Sequence, residues 1–248
     1  MKAFKSFGLV LALALGSWGC ESDDDPAFDP AHLPGTWIHA EKDGQAVPAD
    51  DRFVSTYRAD GTETYAIRGS ANHWVETDGY AYAVGGRTIA VAGHGTQLEY
   101  DVLELSASRL VYRVSRLVVG GQDLEDTSVY VLRKPAADYS AEFLGLWEGH
   151  ETTDGATGAT HRWKYAADGS YQYFHAQVDG RWQDKTDNGG RYFLYGDYFV
   201  SNYRNDANSG VAGNACEAWD ISISGDTMRW KALRNGKTYS FVMTRVAE

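Results

Sequence analysis

The chain's reactive side chains are few and scattered. Its seven histidines, His32, His39, His73, His94, His150, His161 and His175, show neither H-x-H nor H-E-x-x-H spacing, and its two cysteines, Cys20 and Cys216, form no C-x-x-C pair. Nothing in that spacing signals a zinc site. His161 and His175 fall on neighbouring predicted strands and His150 on the strand before, so three imidazoles would converge if one domain turned them inward; exposed or hydrogen-bonded histidines are the plainer reading. The chain has no G-x-S-x-G nucleophile turn, phosphate loop or dinucleotide fingerprint. The acidic pairs Glu99/Asp101 and Asp184/Asp187 sit in predicted turns or on solvent faces, which gives neither a catalytic setting. The expectation is a protein that is not an enzyme, with no cofactor and no metal.

The aromatic residues are more suggestive. Tyr171, Tyr173 and His175 share one face of a predicted strand, and Tyr192, Tyr195, Tyr198, Tyr203, Trp182 and Trp219 come from others. Such rows line an interior pocket, fill a core, or stack on sugars at a surface. The elements that position them are strands. Aromatics make up 13% of the chain, Gly is abundant at 27 and Pro scarce at 5, a mixture that suits short strands joined by tight turns. Turn signals fall at Asp60-Gly61, Asp78-Gly79, Gly85-Gly86 and Gly120-Gly121, then at Asp168-Gly169, Asp179-Gly180, Asn188-Gly189, Gly225-Asp226 and Asn235-Gly236. Between them the pattern alternates: Trp163 and Tyr165 oppose Arg162 and Lys164, and Met228 and Trp230 oppose Arg229 and Lys231. No window supports a long helix, and a single turn after Pro48 is the most that is expected.

The pattern occurs twice. Leu33-Pro34-Gly35-Thr36-Trp37 answers Phe143-Leu144-Gly145-Leu146-Trp147, Tyr57 to Thr62 answers Tyr165 to Ser170, and Trp74 answers Trp182. Tyr82 to Gly86 answers Tyr192 to Gly196, Leu103 to Ser106 answers Ile221 to Ser224, and Tyr130 to Lys134 answers Phe241 to Arg245. Matches in one order at an offset near 110 make a tandem pair of domains, 33–135 and 136–248, rather than a solenoid. The boundary, Pro135 to Ser140, is short enough for the domains to touch. Each predicted domain is a meander of roughly eight strands, and closure into an up-and-down antiparallel barrel removes its edges.

Gly35-Thr36-Trp37 and Gly145-Leu146-Trp147 resemble the first-strand signature of the lipocalins, and Arg133 or Lys134 and Arg245 stand where that family places a last-strand basic residue over the tryptophan. The likeness covers nearly all of the chain after its leader, twice over, and is closest to compact bacterial lipocalin-like domains. It departs from larger lipocalins in its short repeats, in lacking the Thr-Asp-Tyr motif, and in showing no C-terminal helix. The resemblance implies two all-β barrels, each shut at one end by a Trp–cation stack. It also implies a calyx for a small apolar ligand, with Trp163, Tyr165, Tyr171, Tyr173, His175, Trp182, Tyr192, Trp219 and Trp230 as candidate lining. A void of about 300 Å³ or more favours a ligand; a filled interior favours a docking or adhesive module that works through its loops, with a surface glycan as its partner.

Residues 1–19 read as a secretory leader: Lys2 and Lys5, an apolar run from Phe7 to Leu15, then Ser17-Trp18-Gly19 before Cys20. This resembles a bacterial lipobox, with Trp18 as a departure from the usual pattern. The resemblance implies a Cys20 that carries diacylglycerol and an N-acyl chain of the palmitate type, anchoring the protein to a membrane. Residues 20–32, with five acidic residues between Glu21 and Asp29, read as a solvated tether; they also resemble acidic export signals of outer-membrane lipoproteins. An acylated Cys20 leaves Cys216 unpaired, either buried and inert beside Trp219 and Ile221 or joined to another chain. Loss of the leader takes the formal charge from −11 to −13, and each domain carries −4. That balance argues against nucleic acid. The expected protein is a lipid-anchored envelope protein of the outer membrane that binds a small apolar ligand or a partner.

Overall fold

The computed structural model describes residues 27–155, 158–185, 189–205 and 213–247. The leader, Cys20 and the acidic stretch as far as Pro26 lie outside the described residues, as do Asp187, Asn188 and residues 206–212.

The described chain folds as two closed eight-stranded antiparallel barrels in tandem. The first sheet comprises β1 (Gly35–Lys42), β2 (Gln45–Ala46), β3 (Val54–Tyr57), β4 (Thr62–Arg68), β5 (Trp74–Gly85), β6 (Thr88–Gly93), β7 (Thr96–Leu105), β8 (Arg109–Val119), β9 (Gln122–Leu124) and β10 (Val129–Arg133). It closes because β10 pairs with β8 on one side and β1 on the other, Leu132 lying opposite Leu110 and His39. β2 and β9 are short hairpin arms outside the ring. The second sheet comprises β11 (Gly145–Glu151), β12 (Thr160–Tyr165), β13 (Ser170–Ala176), β14 (Trp182–Asp184), β15 (Gly190–Tyr195), β16 (Tyr198–Asn205), β17 (Gly213–Ser224), β18 (Thr227–Arg234) and β19 (Lys237–Val246). Here β19 closes on β11, with Arg245 opposite Trp147, and β14 is the arm outside the ring.

Alternation drives this closure. On β18 Met228, Trp230 and Ala232 are buried while Arg229 and Lys231 are exposed, which is what one wet and one dry face requires. The turns are made where positive φ is cheapest, as at Asn235-Gly236 (φ 50° and 73°). Asp78-Gly79 is a correction. It makes no hairpin but lies inside β5, where a register irregularity between Glu63 and Tyr65 on the paired strand uses the positive φ of Gly79. The β4–β5 turn instead spans Gly69 to His73, with Asn72 in the left-handed region. The single turn expected after Pro48 is present as a 3₁₀ turn at Ala49–Asp51. The segment ascribed to the tether is tied down from Ala27 onward: Leu105 N–H donates to the Ala27 carbonyl (2.8 Å), Asp29 N–H donates to the Leu105 carbonyl (3.2 Å), and Arg87 lies 5.3 Å from the Phe28 ring centroid.

Several strands break the alternation, and their position explains why. Trp37, Ile38 and His39 are buried in succession, as are Tyr198 to Ser201. Trp37, His39, Phe199 and Ser201 face their own barrel interiors; Ile38, Tyr198 and Val200 face the other barrel. Ile38, Ala49, Val54, Ala66 and Trp74 share one buried cluster with Tyr198, Val200, Cys216 and Ala218. Polar contacts surround this seam. Asp50 accepts from Arg234 Nε (2.5 Å) and from Ala218 N–H (2.8 Å), Arg52 pairs with Asp220 (2.6 Å), and Arg133 reaches Asp197 (2.7 Å) and Asp220 (3.0 Å). Asn202 and Trp74 exchange two backbone–side-chain hydrogen bonds, and the Trp74 indole N–H donates to Tyr195 Oη (2.8 Å).

Candidate binding site

Each barrel is shut at one end in the same way. The Trp37 and Trp147 indoles are fully buried and donate to the Leu33 and Phe143 carbonyls (2.7 and 2.9 Å). Lys134 Nζ lies 4.9 Å from the Trp37 ring centroid and donates to the Pro34 carbonyl (3.1 Å); Arg245 lies 4.2 Å from Trp147 and donates to the Leu144 carbonyl (2.6 Å). Gly35 and Gly145 have φ of +127° and +104°, and a Cβ on Gly145 would sit 3.1 Å from the Arg245 guanidinium. Glycine thus supplies both the backbone conformation and the room for the cation. Of the two basic residues considered for the first barrel, Lys134 takes this place. Arg133 does not: it sits opposite Ile38, on the outer face, and its guanidinium joins the seam.

Above each base the barrel keeps a cavity. The second barrel's, about 230 Å³, is lined by Trp163, Tyr165, Tyr171, Tyr173, Trp219 and Trp230 among the residues singled out from sequence. His175, Trp182 and Tyr192 are not among its walls. His175 packs on His161 (ring centroids 5.2 Å apart), Trp182 sits on the outer arm β14 under the Arg162 guanidinium (4.1 Å), and Tyr192 belongs to the base cluster with Phe143, Tyr165 and Phe199. His161, Ser201, Tyr203, Glu217 and Phe241 complete the lining. His161 accepts or donates at Nδ1 with Tyr173 Oη (2.6 Å), and burial first, then the neighbouring His175, lowers its pKa. His150 lies apart on the outer face with Glu148 and Thr160, and among the described residues no three metal-ligating side chains converge.

Polar groups in this second cavity are unevenly satisfied. Tyr203 Oη donates to Glu217 Oε1 (3.1 Å), while burial raises the Glu217 pKa against the pull of Arg234. Tyr165 Oη and the indole N–H groups of Trp219 and Trp230 are buried with no partner. A buried donor left unmade costs about 1–3 kcal/mol, so these groups suit an occupant that brings hydrogen-bond acceptors.

The first barrel holds a cavity of about 270 Å³ that no sequence signal had marked. Tyr100, Tyr112 and Tyr130 form one wall, ring to ring at 4.2 and 5.3 Å; Phe53, Tyr65 and Tyr80 form the facing one. Register fixes depth. Gly35 pairs with Tyr57 and Tyr57 with Glu63, so Glu63 lies at the closed end; Lys42 pairs with Tyr130, so Asp126, which accepts from Tyr130 Oη (2.6 Å), lies at the mouth. Glu63 is 1% exposed and its Oε2 has no partner. Burial pushes its pKa up to about 7, against the smaller opposing effect of the Ser55 hydroxyl. His39, buried and stacked on Phe53 (4.4 Å), has its pKa lowered by burial to about 4 and is neutral at pH 7.

Both voids fall below the 300 Å³ mark, yet neither interior is filled. At about 30 Å³ per water-sized volume they hold about eight or nine such volumes each. Cys216 is buried, but not beside Trp219 and Ile221, which point into the barrel; it lies on the opposite face of β17, in the seam, and burial lifts its thiol pKa to about 11. In comparisons with known proteins, no family model matches the chain and no curated protein is significantly similar to it.

Proposed function

We propose that this is a lipid-anchored, non-enzymatic binding protein of the cell envelope, whose two lipocalin-like barrels each take one small, largely apolar molecule. The observation that carries this reading is the pair of aromatic-walled cavities, each open at one end and each retaining a buried carboxyl. Mostly apolar lining with a few convergent polar groups is the composition of small-ligand sites. A flat or apolar body with one polar handle suits the cavities better than a hydrocarbon chain, because a hydrocarbon would leave Glu63, Trp219 and Trp230 unpaired. The leader and Cys20 support attachment to the outer membrane, with residues up to 26 as the spacer.

The test is a titration of the full-length protein with 2-phenylethanol, a neutral aromatic of matching size, followed by tryptophan fluorescence and ligand-observed NMR. Saturable binding at two sites is expected, with Val91→Phe removing the first and Ser201→Phe the second, since both residues line the cavities. Binding untouched by either substitution, or none at all, overturns the cavity reading. Metabolic labelling with an alkyne palmitate should mark the wild type and not Cys20→Ala; an unlabelled wild type overturns the anchor.

A further inference from the structure

The two cavities differ in what their buried polar groups lack, and the first one has a specific deficit. Glu63 is a carboxyl at the floor of a pocket whose walls are tyrosine and phenylalanine rings, and its Oε2 accepts from nothing. Among the described residues no basic side chain offsets it: burial dominates its environment, the Ser55 hydroxyl acts the other way, and Tyr57, Tyr65, Tyr100 and Tyr112 are titratable groups that face it. An isolated carboxylate in such a place is costly unless something positive or donating meets it.

The surroundings supply the rest of a cation site. Aromatic faces carry negative quadrupole, and a desolvated ammonium over such a ring is attracted to it. The wall already holds one ammonium from outside, Lys42 Nζ at 5.0 Å from the Tyr130 centroid. Acceptors mark the route inward, Asp126 at the mouth and Glu63 at the floor. A metal ion is the less suitable cation, because Glu63 is a single carboxylate and no cluster of three metal-ligating side chains occurs among the described residues. A protein carrying −11 also raises the local concentration of small cations.

From this arrangement we infer that the first barrel is an aromatic cage for a small protonated amine, whose N–H donates to Glu63 Oε2 while its body lies between the Tyr65/Tyr80 and Tyr100/Tyr112 walls. The inference rests on the proposal that the cavities take small molecules, and it assigns a ligand class to one of them. The second cavity is an internal contrast. Glu217 already accepts from Tyr203 and feels the Arg234 charge, and its unpartnered groups are donors, so it has no call for an ammonium.

The experiment compares three probes of similar size on the full-length protein by isothermal calorimetry: phenethylamine, 2-phenylethanol and 3-phenylpropanoate. At pH 8 the amine is expected to bind one site at least about tenfold more tightly than the alcohol, and the carboxylate to be rejected there. Glu63→Gln keeps the shape of the side chain and should reduce the amine to the affinity of the alcohol while leaving the alcohol unchanged. A wild-type measurement guards against a misfolded variant: amine affinity should fall about tenfold per pH unit below 7, as Glu63 takes up its proton, while the alcohol shows no such slope. An amine that binds no better than the alcohol, a Glu63→Gln protein that keeps the preference, or a flat pH profile overturns the cage and leaves the cavity reading standing. Failure of all three probes to bind overturns both.

Discussion

At the scale of single residues, two buried groups give the protein opposite responses to pH. The folded-state pKa of Glu63, about 7, lies above its ordinary 4.5, so folding holds its proton. Its contribution is whole below pH 4.5 and is lost as pH rises through 7, a loss of about 3 kcal/mol at 1.36 kcal/mol per unit. Glu63→Gln should therefore be more stable than the wild type at pH 8, by up to that amount, with the gap closing at pH 4.5; urea unfolding at the two pH values checks it. His39 runs the other way. Its folded pKa, about 4, lies below 6.5, so its contribution is present above pH 6.5 and lost as pH falls towards 4. His39→Phe keeps the stack on Phe53 and should flatten the acid limb of the same stability curve. Neither residue was marked as functional from sequence. Thr62-Glu63-Thr64 reads as an ordinary polar strand start, and only the shared parity of Glu63 with Tyr65 shows that both face inward. Burial deep enough to move a pKa depends on ring walls from β5, β7, β8 and β10, which no local window contains.

At the scale of elements, the first and last strands were readable because their chemistry is compact: a glycine, a tryptophan two residues on, and a cation from the closing strand. What the sequence left open was parity. In the second barrel Arg245 lies directly opposite Trp147, on the inner face. In the first, Arg133 lies opposite Ile38 on the outer face, and Lys134, one residue further, turns inward. The two basic substitutions should then behave differently. Arg245→Ala removes a cation–π contact and a hydrogen bond to the Leu144 carbonyl, and is expected to lower stability by about 2 kcal/mol. Arg133→Ala should leave the base of the first barrel intact and weaken the seam instead, seen as faster amide exchange across β16 and β17 with slow exchange retained at Trp37. Asp78-Gly79 teaches the complementary lesson. A dipeptide that signals a hairpin states only that positive φ is available, and here a bulge inside β5 uses it.

At the scale of the molecule, duplication was legible and the joint was not. Equal charges of −4 on the two halves mark neither as specialised for an ionic partner, yet the seam is ringed by complementary pairs in which each barrel supplies both signs. The clue lay in strands that fail to alternate, since burial on both faces is what a barrel wall acquires when another barrel leans on it. Asp50 serves Arg234, Arg68 and the Ala218 amide at once. Removing one partner of such a pair leaves the other uncompensated and costs about 3–5 kcal/mol; Asp50→Ala should split a single calorimetric unfolding peak into two. Cys216 turns the same joint into a clock. Its sulfur is sealed between the barrels and held protonated, so maleimide can reach it only while they are parted. In a Cys20→Ala protein, where Cys216 is the one thiol left, the rate of alkylation counts those partings directly, and a slower rate with 2-phenylethanol present is the expected sign that occupancy clamps the pair together.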